Sequence, residues 1–263
     1  MSAHVALKIY GERNTGTNYL SELARQNLLV DLLAGRVPRS NLRTQITRNL
    51  RTLLPALADR LHESSRDRYF ATTFEQNLGW KHMNPDPQRI GPQSLNDVRF
   101  LMVVKNPYSW ALSLFRNPYH VGGRDRDFDI FLQRHLPVME ERENIGTTPL
   151  RPMEVWTRKM QGYLALRDVA NHAYILRYED LLVDDMAALT KAAHALSISI
   201  APTPVPVEQG VKTIDRDKTR ANYVDYYLNE RWREKLTPQT VATINSQLDS
   251  DLMQTLGYEM LSA

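Results

Sequence analysis

Glycines at positions 11 and 16 bracket Glu12-Arg13-Asn14-Thr15, and Thr17-Asn18-Tyr19-Leu20 follows. This is the G-x-x-x-x-G spacing of a loop whose backbone N–H groups cradle phosphate oxygens. Gly16 lets the backbone approach an anion closely, Thr15, Thr17 and Asn18 add side-chain donors, and Arg13 supplies a cation. The Lys that follows the second Gly in a triphosphatase loop is missing, and Thr17-Asn18 stands in its place. Such a loop can hold a phosphate but lacks the group that reaches a transferring γ-phosphate. It points to an activated nucleotide other than ATP. Taken alone, the spacing is equally met by a tight strand-to-helix turn with polar caps.

Two further stretches carry groups suited to an anion. In Val104-Lys105-Asn106-Pro107, a cation leaves the end of an apolar run, Pro107 starts a helix, and Ser113 follows two turns on. Lys105 and Ser113 can converge on one phosphate; the plainer alternative is a solvated Lys and a packed Ser. In Arg177-Tyr178-Glu179-Asp180-Leu181, the carboxylates suit a helix start, Asp180 as an N-cap and Glu179 near the positive end of the dipole. Tyr178, at a strand end, can line a nucleotide pocket.

These groups need elements to position them. Apolar runs predict buried strands over 5–10, 77–82, 99–104 and 173–178. Helical patterns cover 17–30, 108–116, 180–196 and 237–256, the last opening on Thr237-Pro238, an N-cap followed by Pro in the first turn. Strands alternating with helices predict an α/β fold with a central parallel sheet flanked by helices, in which ligands sit at the carboxyl ends of the strands. The chain reads as one domain over 1–263, with an Arg-rich helical insertion over about 36–68 that packs on the main fold or forms a lid on the acceptor side.

The bulk composition narrows the classes. The 263 residues are 42% hydrophobic and 24% charged, with a net charge of +3, which suits a local pocket for an anion rather than a nucleic-acid surface. The absence of cysteine excludes disulfides, thiolate metal sites and a Cys nucleophile. No apolar stretch reaches transmembrane length and no signal peptide is apparent, so a cytoplasmic protein is expected.

Together the three motifs resemble the sulfotransferase family. Its P-K-S-G-T-T-W loop is matched by Arg13-Asn14-Thr15-Gly16-Thr17-Asn18-Tyr19, its R-N-P-x-D-x-x-x-S by Lys105-Asn106-Pro107 with Ser113, and its Y-E-D-L by Tyr178 to Leu181. The resemblance implies a P-loop-like sulfotransferase fold and transfer of a sulfuryl group from 3′-phosphoadenosine 5′-phosphosulfate, with no metal, to a small-molecule or glycan hydroxyl or amine. It implies that Arg13, Asn14, Thr15, Gly16, Thr17 and Asn18 hold the 5′-phosphosulfate end, Lys105 and Ser113 the 3′-phosphate, and Tyr178 the nucleotide pocket. Lys218 and Arg220, with Lys212 and Arg216, are the nearest counterparts of the family's donor-covering basic segment. The chain departs from the pattern at two cations: Asn14 replaces the loop Lys, with Arg13 one position early, and Lys105 replaces the Arg of the 3′-phosphate site.

The family's K-T-H-x-P points to His82, in Trp80-Lys81-His82-Met83-Asn84-Pro85, as the base that takes the acceptor's proton, with Lys81 as charge stabiliser. Adjacent side chains on a strand face opposite ways, so both reach the donor only if the strand has already ended. Glu12 is the rival base and His120 comes third. Trp80, Trp110, Phe115 and Tyr119 are candidate acceptor-pocket aromatics. The other readings are a P-loop kinase-like enzyme and a non-catalytic nucleotide-binding member of the fold.

Overall fold

Four strands form one parallel sheet in a computed structural model that describes residues 4–38, 40–42, 45–46, 54–118, 126–136, 141–207 and 219–263. They are β1 (Val5–Gly11), β2 (Val30–Leu32), β3 (Arg99–Val104) and β4 (Ala173–Arg177), ordered β2-β1-β3-β4. The chain runs from β1 outward to β2, then crosses back to β3 on the other side of β1. The crevice between the carboxyl ends of β1 and β3 is therefore the topological switch point, where open α/β sheets bind ligands. In register, Gly11 lies opposite Val103 and Val104 opposite Arg177, so the first loop, Lys105 and Tyr178 leave neighbouring strands at the same level.

The helices used below are α1 (Thr17–Asn27), α2 (Pro55–Thr72), α3 (Pro107–Arg116), α4 (Pro152–Val169), α5 (Tyr178–Val183), α6 (Asp185–Ala195), α7 (Arg220–Leu228), α8 (Pro238–Asn245) and α9 (Ser250–Thr255). The central strands are almost wholly buried: Phe100 to Val104 show no exposure, and they pack with Leu7, Leu20, Trp110, Trp156 and Tyr163 in one contiguous core. Caps fix the helix starts. Asn106 accepts from the Tyr108 and Ser109 N–H groups at the start of α3, with Pro107 in its first turn.

Two sequence expectations need correction. The second strand is Val30–Leu32, not 77–82. The expected helix 17–30 stops at Asn27, whose carboxamide bonds Val205 on both its N–H and its carbonyl, while Leu29 N–H donates to Ser199; these tertiary bonds draw the chain out of the helix. Residues 77–79 are kept from pairing as a strand by two side chains from one face of β1. Lys8 Nζ donates to the carbonyls of Asn77 (2.5 Å) and Gly79, and Tyr10 Oη to that of Leu78 (2.6 Å). Leu78 and Gly79 both have left-handed backbone, φ 55° and 84°. Burial pushes the Lys8 ammonium down to about 7.

The predicted long helices are also each two. Asp184 N-caps α6 through Ala187 N–H, dividing 180–196, and Asp249 caps α9, dividing 237–256. The predicted insertion contributes α2; part of 36–68 lies outside the described residues, as do Tyr119, His120, Lys212, Arg216 and Lys218.

Candidate active site

The loop between β1 and α1 is shaped by its glycines. At Gly11 a Cβ would stand 2.4 Å from Val103 Cγ1, so only glycine lets the loop leave the sheet this close to β3. Asn14 (φ 68°) and Gly16 (φ 83°) are both left-handed, and a side chain at Gly16 would meet the Tyr178 ring at 2.8 Å. Thr15 is fully buried and locks the turn by donating from N and Oγ1 to the Glu12 carbonyl. The α1 N-terminus thus opens on residues 16–18, which line the crevice.

A cavity of about 300 Å³ lies there, lined by Asn14, Gly16, Thr17 and Asn18 of the loop, by Trp80, Lys81 and His82, and by Tyr178, Tyr223 and Tyr227. Arg13, Arg36, Arg66 and Arg116 complete its charged wall. Among the described residues no carboxylate side chain lines it, so its field favours an anion.

Lys81 and His82 both face the cavity. The absence of a strand at 77–82 makes this possible, since regular β geometry would send them to opposite faces. Gly11 N–H still bonds the Lys81 carbonyl (2.9 Å), which ties this turn to the end of β1. Lys81 Nζ donates to Asn18 Oδ1, as does Arg36. Burial, and then Arg36, lower the Lys81 ammonium to about 7.

His82 Nδ1 lies 2.5 Å from the Gly11 carbonyl oxygen. A carbonyl only accepts, so Nδ1 carries the proton and Nε2 of the neutral ring is left with its lone pair. Burial, followed by the charges of Lys81 and Arg13, holds the imidazole well below its usual range. The ring packs edge-on against Trp80, centroids 4.9 Å apart.

Beneath this end runs a buried ionic network. Lys159 of α4 pairs with Glu12 and Glu143 and donates to the His82 carbonyl (2.6 Å), and Glu143 also takes Arg13 Nη1 at 2.7 Å. Two cations thus face two carboxylates, and the β1–α1 loop and the His82 turn are braced through one ammonium. Arg13 lies over Trp80, 4.5 Å from its ring, and lines the cavity while paired with Glu143. Glu12 sits under the loop, not on the cavity wall.

At the opposite end, Lys105 Nζ donates to Ser113 Oγ (3.0 Å), and Ser113 Oγ is 3.1 Å from Tyr227 Oη. The pair is joined as the spacing predicted. It lies behind Tyr227, which lines the cavity while Lys105 and Ser113 do not; the ammonium is 3.9 Å from the Tyr227 ring centre and 5.0 Å from that of Tyr178. Arg220 is placed elsewhere, bonding Asp185 (3.2 Å) and the Leu182 carbonyl (3.0 Å). Glu179 is structural, taking Asn106 N–H and Tyr258 Oη. Trp110 donates to the Arg13 carbonyl from below, and Phe115 packs against Phe128 and Phe131, so of the described candidate acceptor aromatics only Trp80 lines the cavity.

Sequence reasoning did not single out Tyr223, Tyr227, Arg66, Arg116 or Lys159. The i, i+4 spacing of Tyr223 and Tyr227 on one helix face was the available signal for those two.

No family model matches the chain, and no curated protein matches it in sequence. Solved structures do resemble it. A sulfotransferase domain from the curacin biosynthetic pathway is 13% identical, with 98% of this chain and 99% of that chain covered and a TM-score of 0.43. A sulfotransferase domain from the Synechococcus PCC 7002 olefin synthase is 14% identical over 93% and 94%, TM-score 0.44. A retinol dehydratase solved with androsterone and the inactive cofactor PAP is 12% identical over 95% and 80%, TM-score 0.49. At these scores and identities the likeness carries no chemistry into the chain.

Proposed function

We propose that this chain is a sulfotransferase that moves a sulfuryl group from 3′-phosphoadenosine 5′-phosphosulfate to an acceptor hydroxyl or amine. The observation that carries the reading is the position of His82: its Nδ1–H is committed to the Gly11 carbonyl, and its ring lines a cation-walled cavity that also contains the phosphate-type loop. A base that donates to the donor loop itself is held at a fixed place relative to whatever that loop binds.

The residues present fit such a donor. Gly16, pressed against Tyr178, leaves no side chain between the anion and the α1 N-terminus. Thr17 and Asn18 add polar side chains, Tyr178, Tyr223 and Tyr227 form an aromatic wall, and Lys105 with Ser113 waits behind Tyr227 for the 3′-phosphate. The donor supplies an electrophilic sulfur and a phosphate leaving group.

The chain's own part is to place the acceptor, take its proton and hold charge. As the acceptor oxygen or nitrogen bonds to sulfur, the bridging S–O bond breaks with its electron pair on the phosphate oxygen, leaving 3′-phosphoadenosine 5′-phosphate. The acceptor proton goes to His82 Nε2. Lys81, in its charged form, and the α1 N-terminus stabilise the oxygens that gain charge. The anion's own charge favours the imidazolium, so the depressed basicity of His82 is relieved in the loaded site.

Incubation with ³⁵S-labelled donor and a pooled set of phenols, amines and sugars tests the reading. Label is expected in an acceptor with the wild type and is lost with His82→Ala. Absence of transfer together with absence of bisphosphate binding would overturn it.

A further inference from the structure

The nature of the acceptor follows from the far wall of this same cavity, so the inference rests on the sulfuryl-transfer reading. The loop gives the cavity two ends. At one, the Asn14 carbonyl and Gly16 meet Lys105 and Tyr178; at the other, Asn18 meets Lys81 and Arg36. His82 belongs to the second end, packed on Trp80. A nucleotide with its aromatic base among the tyrosines and its phosphates along the loop brings the reacting sulfur to His82. The acceptor then lies beyond, against Arg66.

That wall is rich in guanidinium. Three of these groups surround the Trp80 indole, Arg13 at 4.5 Å, Arg142 at 4.6 Å and Arg66 at 5.7 Å from its ring. Arg142 is fully buried and takes both Glu63 and Asp67, and Arg13 takes Glu143. Arg66 pairs with Glu63, which Arg142 also claims, and it keeps 28% of its side chain exposed where it lines the cavity. Burial, and then the charge of Arg142, act against the charge of Arg66. An anion at this wall relieves that repulsion and gains a planar fork of donors. An uncharged hydrocarbon gains neither.

We propose that the acceptor is an anionic hydroxyl or amine compound, a ring bearing its own carboxylate, seated with that carboxylate on the part-exposed Arg66 guanidinium that lines the cavity. The nucleophilic group then points back to His82. The Arg-rich insertion thereby sets acceptor choice, while the loop sets donor choice.

The test uses the full chain saturated with 3′-phosphoadenosine 5′-phosphate and two matched probe pairs: 4-hydroxyphenylacetate against 4-hydroxyphenylacetamide, and glucuronate against glucose. Calorimetry is expected to show at least tenfold tighter binding of the charged member in one pair or both. Arg66→Gln should shrink that gap to threefold or less, and Arg66→Lys should restore part of it. Bisphosphate affinity should change less than twofold in both variants, which reports an intact fold and donor site; Glu63 keeps Arg142 as its partner in either. Preference for the neutral members, binding of neither member of either pair, or a gap that persists in Arg66→Gln would overturn the proposal. Failure of the bisphosphate itself to bind the wild type would instead strike the sulfuryl-transfer reading, and this one with it.

Discussion

The cation behind the cavity wall and the cation on it are held in opposite ways. Lys105 is buried between the rings of Tyr178 and Tyr227, with the Ser113 hydroxyl as partner, whereas Lys81 faces the cavity and is pressed down to about 7. Aromatic faces and a hydroxyl surround the Lys105 ammonium, and no carboxylate is among these contacts. Lys81 has a neutral amide oxygen for its partner and a guanidinium for its neighbour, so its charge depends on what enters the cavity. Under the proposed function, binding falls to one end and chemistry to the other.

The sharpest break between the ends is expected from His82→Ala. It should lower kcat by roughly 10²–10⁴-fold, the usual contribution of a positioned base, with bisphosphate affinity unchanged. Single-turnover kinetics and calorimetry on the same variant check both halves, and a loss of affinity to match would erase the distinction.

Next comes the brace under the chemical end. Lys159→Met removes the ammonium that pairs with the buried Glu12 and Glu143, leaves Glu143 its pair with Arg13, and takes away the donor to the His82 carbonyl. It should cost about 3–5 kcal/mol of stability, as breaking a buried pair does, measured by urea unfolding. Near-neutral stability would mean that the network is not a brace.

Lys105→Ala should have the complementary effect to His82→Ala. A charged hydrogen bond to phosphate is worth about 1.5–3 kcal/mol, so the bisphosphate should bind roughly 10–100-fold more weakly while kcat at saturation holds. If kcat falls and affinity stays, the ends have been assigned the wrong way round.

The smallest expected effect is on pH. The Lys81 ammonium is depressed from the ordinary lysine value to about 7, so it is partly deprotonated near neutrality. A bound anion favours its charged form. Donor binding should therefore take up a fraction of a proton around pH 7–8, and affinity should fall as pH rises through that window. Calorimetry in buffers of different ionisation enthalpy reads the uptake, and Lys81→Met should abolish it.

Sequence patterns made the central strands legible. Arg99–Val104 and Val5–Gly11 are buried along nearly their whole length and read as apolar runs, and the glycine loop and the Lys105–Ser113 pair followed from spacing. Residues 77–82 were not legible, because what shapes them is an ammonium and a phenol from β1 reaching their carbonyls, a long-range pairing with no periodicity of its own. The second strand was hidden for a similar reason: Asn27 is turned by Val205, far along the chain. The same limit applies to the site. Lys159 lies on the buried side of an 18-residue helix and reads as an ordinary surface lysine until Glu12 and Glu143 are seen beside it.

The central claim, that one end of this cavity is built for a 3′-phosphorylated, 5′-activated adenosine, is tested most directly by calorimetric titration of the wild type with 3′-phosphoadenosine 5′-phosphate, ATP and GTP, each with and without magnesium. The account predicts saturable one-to-one binding of the bisphosphate, independent of magnesium and weakened at least tenfold in Lys105→Ala, with ATP and GTP much weaker. Magnesium-dependent binding of ATP with none of the bisphosphate would contradict it.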